Sequence, residues 1–215
     1  AMFGSIGRAV VRVGLLAGML GIPLALAPVG TALADVPEEC AYTGPVTGSV
    51  VINGGTVCFL GAHVTGSVVA LNGADVTIFS STVDGAVNAI GASKLTICDS
   101  TLGSVTATGT TGNVLLGDGN DTECLFNTIK GSVTFSNNHG QVGAAGNVIG
   151  GSLNVVRNNG EEVDIAANSM GGALACSGNS APFDFPSEGP NTAKGGITGQ
   201  CVGLSSGGQQ QQQND

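Results

Sequence analysis

The sequence predicts an all-β chain folded as a single-domain parallel β-helix, a disulfide-stapled solenoid of about eight coils. Three observations predict it. A motif of the type Val-x-Gly-Ser-Val returns roughly every twenty residues. Aliphatic residues flank each motif glycine at period two, the alternation of an extended strand. Six cysteines stand at separations close to the length of one repeat.

The motif appears as Val46-Thr47-Gly48-Ser49-Val50, Val64-Thr65-Gly66-Ser67-Val68, Val83-Asp84-Gly85-Ala86-Val87 and Ile129-Lys130-Gly131-Ser132-Val133. Ile149-Gly150-Gly151-Ser152-Leu153 and Met170-Gly171-Gly172-Ala173-Leu174 follow. Leu102-Gly103-Ser104-Val105 and Ala193-Lys194-Gly195-Gly196-Ile197 are degraded copies. The anchor glycines are therefore Gly48, Gly66, Gly85, Gly103, Gly131, Gly151, Gly172 and Gly195, with steps of 18, 19, 18, 28, 20, 21 and 23.

Val46, Gly48, Val50 and Ile52 are expected on one face of an extended strand, because side chains alternate along it. A second alternating run follows in several copies: Val57/Phe59, Val76/Ile78, Leu95/Ile97 and Val163/Ile165. Helical spacing is absent after the first thirty-odd residues. One coil cannot bury its apolar face alone, so neighbours stack and like residues fall over like. Glycine suits a corner where a side chain would crowd the interior or where φ is positive. Eight coils at ~4.8 Å per rung give a rod of roughly 35–40 Å. A β-sandwich with Gly-rich turns is the competing architecture, and it has no reason to keep a fixed period. Right-handed winding is expected, because the coil length drifts and right-handed crossover is the general preference.

The pattern Val-x-Gly-Ser-Val-x-x-x-x-Gly-Ala-x-Val, seen over Val64–Val76, resembles bactofilins, cytoskeletal β-helices that polymerise end to end. A closer resemblance is to secreted bacterial β-helix proteins of unknown function. It is carried by the same rungs, by Asn168-Ser169-Met170-Gly171-Gly172-Ala173-Leu174-Ala175-Cys176-Ser177-Gly178-Asn179 and by Gly199-Gln200-Cys201. The likeness covers residues 40 to 203. Its motifs are structural, so it implies a fold and no active site.

Residues 1–34 have the layout of a secretory signal peptide. Arg8 and Arg12 form a basic start, Val13–Leu26 an apolar stretch, and Ala32-Leu33-Ala34 a small-residue cleavage site. Cleavage near Ala34 would leave a secreted or cell-surface chain with no stable membrane span. The solenoid is expected over 35–203, followed by a disordered Gly/Ser/Gln-rich tail at 204–215. The part after Ala34 keeps four basic residues against fifteen acidic ones, a charge of −11. Such a chain repels phosphate backbones and anionic lipid heads, which excludes nucleic acid as a natural partner.

After a signal peptide, six cysteines read as three disulfides. Cys40 and Cys58 are 18 apart, Cys98 and Cys124 are 26 apart across the enlarged coil, and Cys176 and Cys201 are 25 apart. One rung of separation matches the Cα spacing that a disulfide requires, so Cys40–Cys58, Cys98–Cys124 and Cys176–Cys201 are the expected pairs. The Pro182-Phe183-Asp184-Phe185-Pro186 insertion reads as a lid over the last coil, its prolines blocking further strand addition. Capped ends predict a monomer.

Candidates for chemistry are few. Gly117-Asp118-Gly119-Asn120-Asp121-Thr122-Glu123 is similar to the core of calcium-binding RTX repeats. Asp118, Asn120, Asp121 and Glu123 are hence the candidate calcium ligands, the only cofactor the sequence suggests, although one copy stands where such sites form between successive repeats. Glu161, Glu162 and Asp164 cluster at a corner, where paired carboxylates could do glycosidic work in a cleft or simply be solvated. His63 and His139 read as surface turn residues. An array of Thr-x-Thr rows, as a flat ice-binding face needs, is represented only by Thr106-Ala107-Thr108.

These readings converge on a secreted or envelope-associated structural and interaction solenoid, not an enzyme, with a polysaccharide or a protein as partner. A carbohydrate-active β-helix enzyme, or a calcium-stabilised adhesin-like module, are the alternatives.

Overall fold

The computed structural model describes residues 40–118, 124–184 and 189–205. The expected signal at 1–34 and the end of the tail lie outside them, as do Asn120, Asp121 and Glu123.

Twenty strands are present among the described residues, and every pairing between them is parallel. They form a three-sided β-solenoid of about eight coils. The coil beginning at Gly131 shows the plan: Val133–Ser136 lies on a first sheet, Val142–Ala145 on a second and Val148–Ile149 on a third. Each strand pairs with its equivalents one coil away, such as Val105↔Val133↔Leu153 on the first sheet. On the second sheet Val114↔Val142↔Val163 does the same, and on the third Leu102↔Ile129↔Ile149.

The core consists of the inward columns of these sheets. On the first sheet Val68, Val87, Val105, Val133, Leu153 and Leu174 form one fully buried column. Beside it, Ala70, Ala89 and Ala107 give way to Phe135 and Val155. The second sheet answers in volume. Ile78, Ile97 and Leu116 share coils with the alanines, and Ala144 shares a coil with Phe135. In these four coils large residues thus meet small ones, which keeps a narrow interior filled.

The anchor glycines mark the corner between the third sheet and the first. The chain turns there, so Val46 and Val50 both reach the core from different sheets, instead of sharing one face of a single strand. Of the two reasons for glycine, crowding is the one that applies. The glycines stack directly, with N–H to carbonyl bonds of 3.0 Å from Gly66 to Gly48, 2.9 Å from Gly85 to Gly66 and 2.8 Å from Gly151 to Gly131. A Cβ at Gly66 would lie 2.5 Å from the carbonyl carbon of Gly48, closer than real contacts allow. Only Gly48, in the first coil, has a positive φ, of 85°.

The other two corners are built from a left-handed residue followed by an inward one, alanine in several early coils and polar in the later ones. Ser80, Asp99 and Ala167 at one corner, and Asn137 and Arg157 at the other, have φ between 46° and 55°. This backbone turn aims the next side chain into the solenoid. Those next residues are Ser81, Ser100 and Asn168, and Asn138 and Asn158, all buried.

The three disulfides join adjacent coils in the expected pairs, with Cα–Cα distances of 4.8 Å for Cys40–Cys58, 4.8 Å for Cys98–Cys124 and 5.3 Å for Cys176–Cys201. The C-terminal end differs from the expectation in two respects. Phe183–Asp184 is not a lid but a further rung, paired in register with Val163 and Asp164. The covering element is instead a 3-10 helix, Gln200–Ser205, which no helical spacing had signalled. It extends past residue 203, so Leu204 belongs to the cap and is buried, with its carbonyl accepting from the Asn191 N–H at 3.1 Å. At the opposite end Tyr42 stacks on Phe59 with ring centroids 4.6 Å apart.

Candidate functional site

The sequence-predicted site residues are spread over the solenoid, not gathered. Asp118 lies two residues past Leu116, the end of the second-sheet strand of its coil, and its N–H donates to the Cys124 carbonyl at 3.0 Å. That bond, with the Cys98–Cys124 disulfide, closes the neck of the enlarged coil. Its three partners in the calcium expectation are outside the described residues. Glu161 is exposed at its corner, while Gln141 donates to Glu162 Oε2 at 3.3 Å from the preceding coil. Asp164 projects outward between the buried Val163 and Ile165, in register with Gly143 and Asp184. Asp118 lies on a corner and Asp164 within the second sheet, two coils on from Asp118's own.

Several other polar groups form couples between neighbouring coils. His63 is a strand residue rather than a turn residue, and its Nε2 sits 3.0 Å from Asp84 Oδ2 one coil on. Ser80 donates to Asp99 Oδ2 at 2.8 Å, and Asp75 is in register with Lys94. His139 Nδ1 is 2.7 Å from Asn159 Oδ1. Stacking at one-rung spacing brings each such pair together, and it disperses the pairs along the rod. Among the described residues no group of three or more His, Cys, Asp or Glu side chains is placed to hold a metal ion.

Sequence reasoning missed the most organised polar feature. Asn127, Asn147, Asn168 and Asn191 form a ladder inside one corner. The N–H and Nδ2 of Asn127 both donate to Asn147 Oδ1, at 2.9 and 3.0 Å. Asn147 repeats this to Asn168 at 3.0 and 2.9 Å, and Asn168 to Asn191 at 3.1 and 3.0 Å. The remaining amide proton goes to a core-side carbonyl, Leu116 for Asn147 and Ala144 for Asn168. A second ladder at the other inward-pointing corner runs Asn138, Asn158, Asn179 and ends on Gln200 of the cap. In the earlier coils Ser81 and Ser100 play the part with a hydroxyl, accepting from the N–H one coil before. The ladders are satisfied internally and are structural. The signal was available, since the first ladder's spacings of 20, 21 and 23 repeat those of the anchor glycines.

What faces solvent on the first sheet is the remaining candidate surface. Its outward residues are Val51 and Asn53, Val69 and Leu71, Asn88 and Ile90, Thr106 and Thr108, continuing as Thr134 and Ser136, Asn154 and Val156, Ala175 and Ser177, then Thr198. None is charged. The second sheet, by contrast, turns Asp75, Lys94, Glu162 and Asp164 outward. Val51 and Ile90 are 64% and 51% exposed, so aliphatic surface is open to solvent here.

Fold and surface together define a disulfide-stapled parallel β-solenoid whose first sheet turns an uncharged face outward. Comparison of the chain with family models, curated proteins and solved structures returned no match.

Proposed function

We propose that the protein is a non-enzymatic β-solenoid of the cell surface or extracellular space, serving as a structural or interaction module. The observation that carries this reading is the uncharged first sheet, repeated coil after coil on a chain of net charge −9. Acid–base catalysis needs titratable groups converging on one reacting bond. Here titratable side chains such as His63 and Glu162 are instead held by a partner one coil away, Asp84 and Gln141. Three disulfides suit an oxidising compartment and resist unfolding there.

The test is incubation of the purified protein with pectate, xylan and peptidoglycan, assayed for new reducing ends and for unsaturated sugar products. The reading predicts no turnover above that of buffer. Release of either product, lost on replacing Glu162 or Asp164 by the amide, would overturn it in favour of a carbohydrate-active enzyme.

A further inference from the structure

We infer that Asn159 is a site of self-catalysed deamidation. The Gly160 nitrogen closes a succinimide on the Asn159 side chain, and His139 stabilises the oxyanion that forms. The reaction is intrinsic to the chain and independent of what the rod binds.

The sequence holds three Asn-Gly steps, Asn53-Gly54, Asn72-Gly73 and Asn159-Gly160. Asparagine before glycine is where a main-chain nitrogen reaches the preceding side-chain carbonyl most freely, because glycine has no Cβ to obstruct the ring. The attacking nitrogen must first give up its proton, so an N–H already held by a carbonyl is protected. Gly54 N–H donates to the Leu71 carbonyl at 3.0 Å, and Gly73 N–H to that of Gly91 at 2.7 Å. Both are held. The Gly160 N–H meets no acceptor among the described residues.

The side chains differ in the same sense. Asn72 Nδ2, the group that would leave as ammonia, donates to Asn53 Oδ1. The Asn159 side chain has one hydrogen bond among the described residues, between its Oδ1 and His139 Nδ1 at 2.7 Å. A carbonyl oxygen only accepts, so Nδ1 carries the hydrogen and aims it where charge develops. The ladder below sets this pair in place. Asn138 donates to Asn158 Oδ1, and the Asn159 N–H donates to the Asn138 carbonyl at 3.0 Å, which brings His139 beside Asn159. A Cβ at Gly160 would collide with the Gly140 carbonyl, so packing itself requires glycine after Asn159. Asn159 and His139 are both exposed, which gives water access to the ring.

The chemistry balances with water alone. Water or hydroxide takes the Gly160 proton, and the nitrogen's electron pair forms a bond to Asn159 Cγ. Charge collects on Oδ1 beside His139. Its return breaks the Cγ–Nδ2 bond, and Nδ2 leaves as ammonia after taking a proton from solvent. Water then adds to either carbonyl of the succinimide, opening it to aspartate or isoaspartate at position 159. One amide is exchanged for one carboxylate. That carboxylate faces His139 as Asp84 faces His63, and it adds negative charge beside Glu161.

The test is incubation of the purified, disulfide-intact protein at neutral pH, with samples reduced and digested over time. Trypsin cleavage after Arg157 gives a peptide beginning at Asn158, in which mass spectrometry separates asparagine, aspartate and isoaspartate at position 159. Position 159 should convert at least ~tenfold faster than positions 53 and 72 in the native protein. In the reduced, urea-unfolded chain that contrast should vanish. His139→Leu should slow conversion at 159 by about tenfold, whereas mere loosening of the corner would speed it. Equal conversion at all three native positions overturns the inference. So does a native position 159 that stays intact while the unfolded chain converts. H139L converting as fast as wild type, or faster, overturns it as well. The native-against-unfolded comparison needs no variant, so it decides even where H139L does not fold.

Discussion

Asn147 and Asn168 are joined twice: the N–H and the Nδ2 of Asn147 both donate to Asn168 Oδ1, at 3.0 and 2.9 Å. The oxygen lies in a corner with no solvent, where Asn147 is fully buried and Asn168 nearly so. One side chain therefore satisfies the backbone and the side chain of the coil below, and passes the same arrangement upward. Identical amides recur because each link must both donate and accept.

Replacing Asn168 by Ala should cost about 2–4 kcal/mol of unfolding free energy, since it strands two buried donors on Asn147 and the Ala144 carbonyl together. Asn168→Asp should be as damaging, because the carboxylate cannot donate to the Ala144 carbonyl and its charge would be buried. Urea denaturation of the two variants checks both.

The glycine corner predicts a contrast between two glycine-to-alanine changes. Gly151→Ala places a Cβ 3.0 Å from the backbone of Gly131 and closer still to Ser132 Oγ, with no room to yield. A loss of about 1–3 kcal/mol is expected. At Gly73 the φ is +76° and nothing lies within 4 Å, so only backbone strain remains, about 1 kcal/mol. Paired chemical denaturation curves distinguish the two mechanisms.

Truncating Phe135 to Ala empties the widest inner position of its coil, where the neighbour on the second sheet is already the small Ala144. The residual cavity cannot be filled by relaxation of an alanine. The expected loss is about 3–5 kcal/mol, read as a lowered midpoint in urea.

Reduction should lower stability by about 3 kcal/mol for each disulfide, because loops of 18, 26 and 25 residues regain their freedom when unfolded. Calorimetric melting with and without reductant measures it. Loss of Cys176–Cys201 should also free the 3-10 cap, seen as faster amide exchange at Asn191, whose N–H is held by the Leu204 carbonyl.

Much of this architecture was legible in the chain. The inward columns and the stacked glycines are direct images of period two within a strand and of twenty residues between coils. The cysteine pairs followed from the same register. The asparagine ladders were not read, because Asn137-Asn138-His139-Gly140 has the composition of a solvated turn, and composition does not reveal which of two adjacent asparagines points inward. The left-handed φ of 53° at Asn137 decides that, by swinging Asn138 into the core. The cap was missed for a similar reason, since six residues of 3-10 helix carry no periodicity to detect. The lateral face emerged only when the register aligned Asn88, Thr106, Thr134 and Asn154 into one column.

Secretion has its own check. Amino-terminal sequencing of the protein recovered outside the cell should begin at Asp35, with Ala34 as the last residue removed.

The stacked register on which all of this depends is tested most directly by mapping the disulfides of the unreduced protein by proteolysis and mass spectrometry. The account predicts three linked peptide pairs, Cys40 with Cys58, Cys98 with Cys124 and Cys176 with Cys201, and no free thiol. A linkage such as Cys58 to Cys98, which would have to skip a coil, would contradict it.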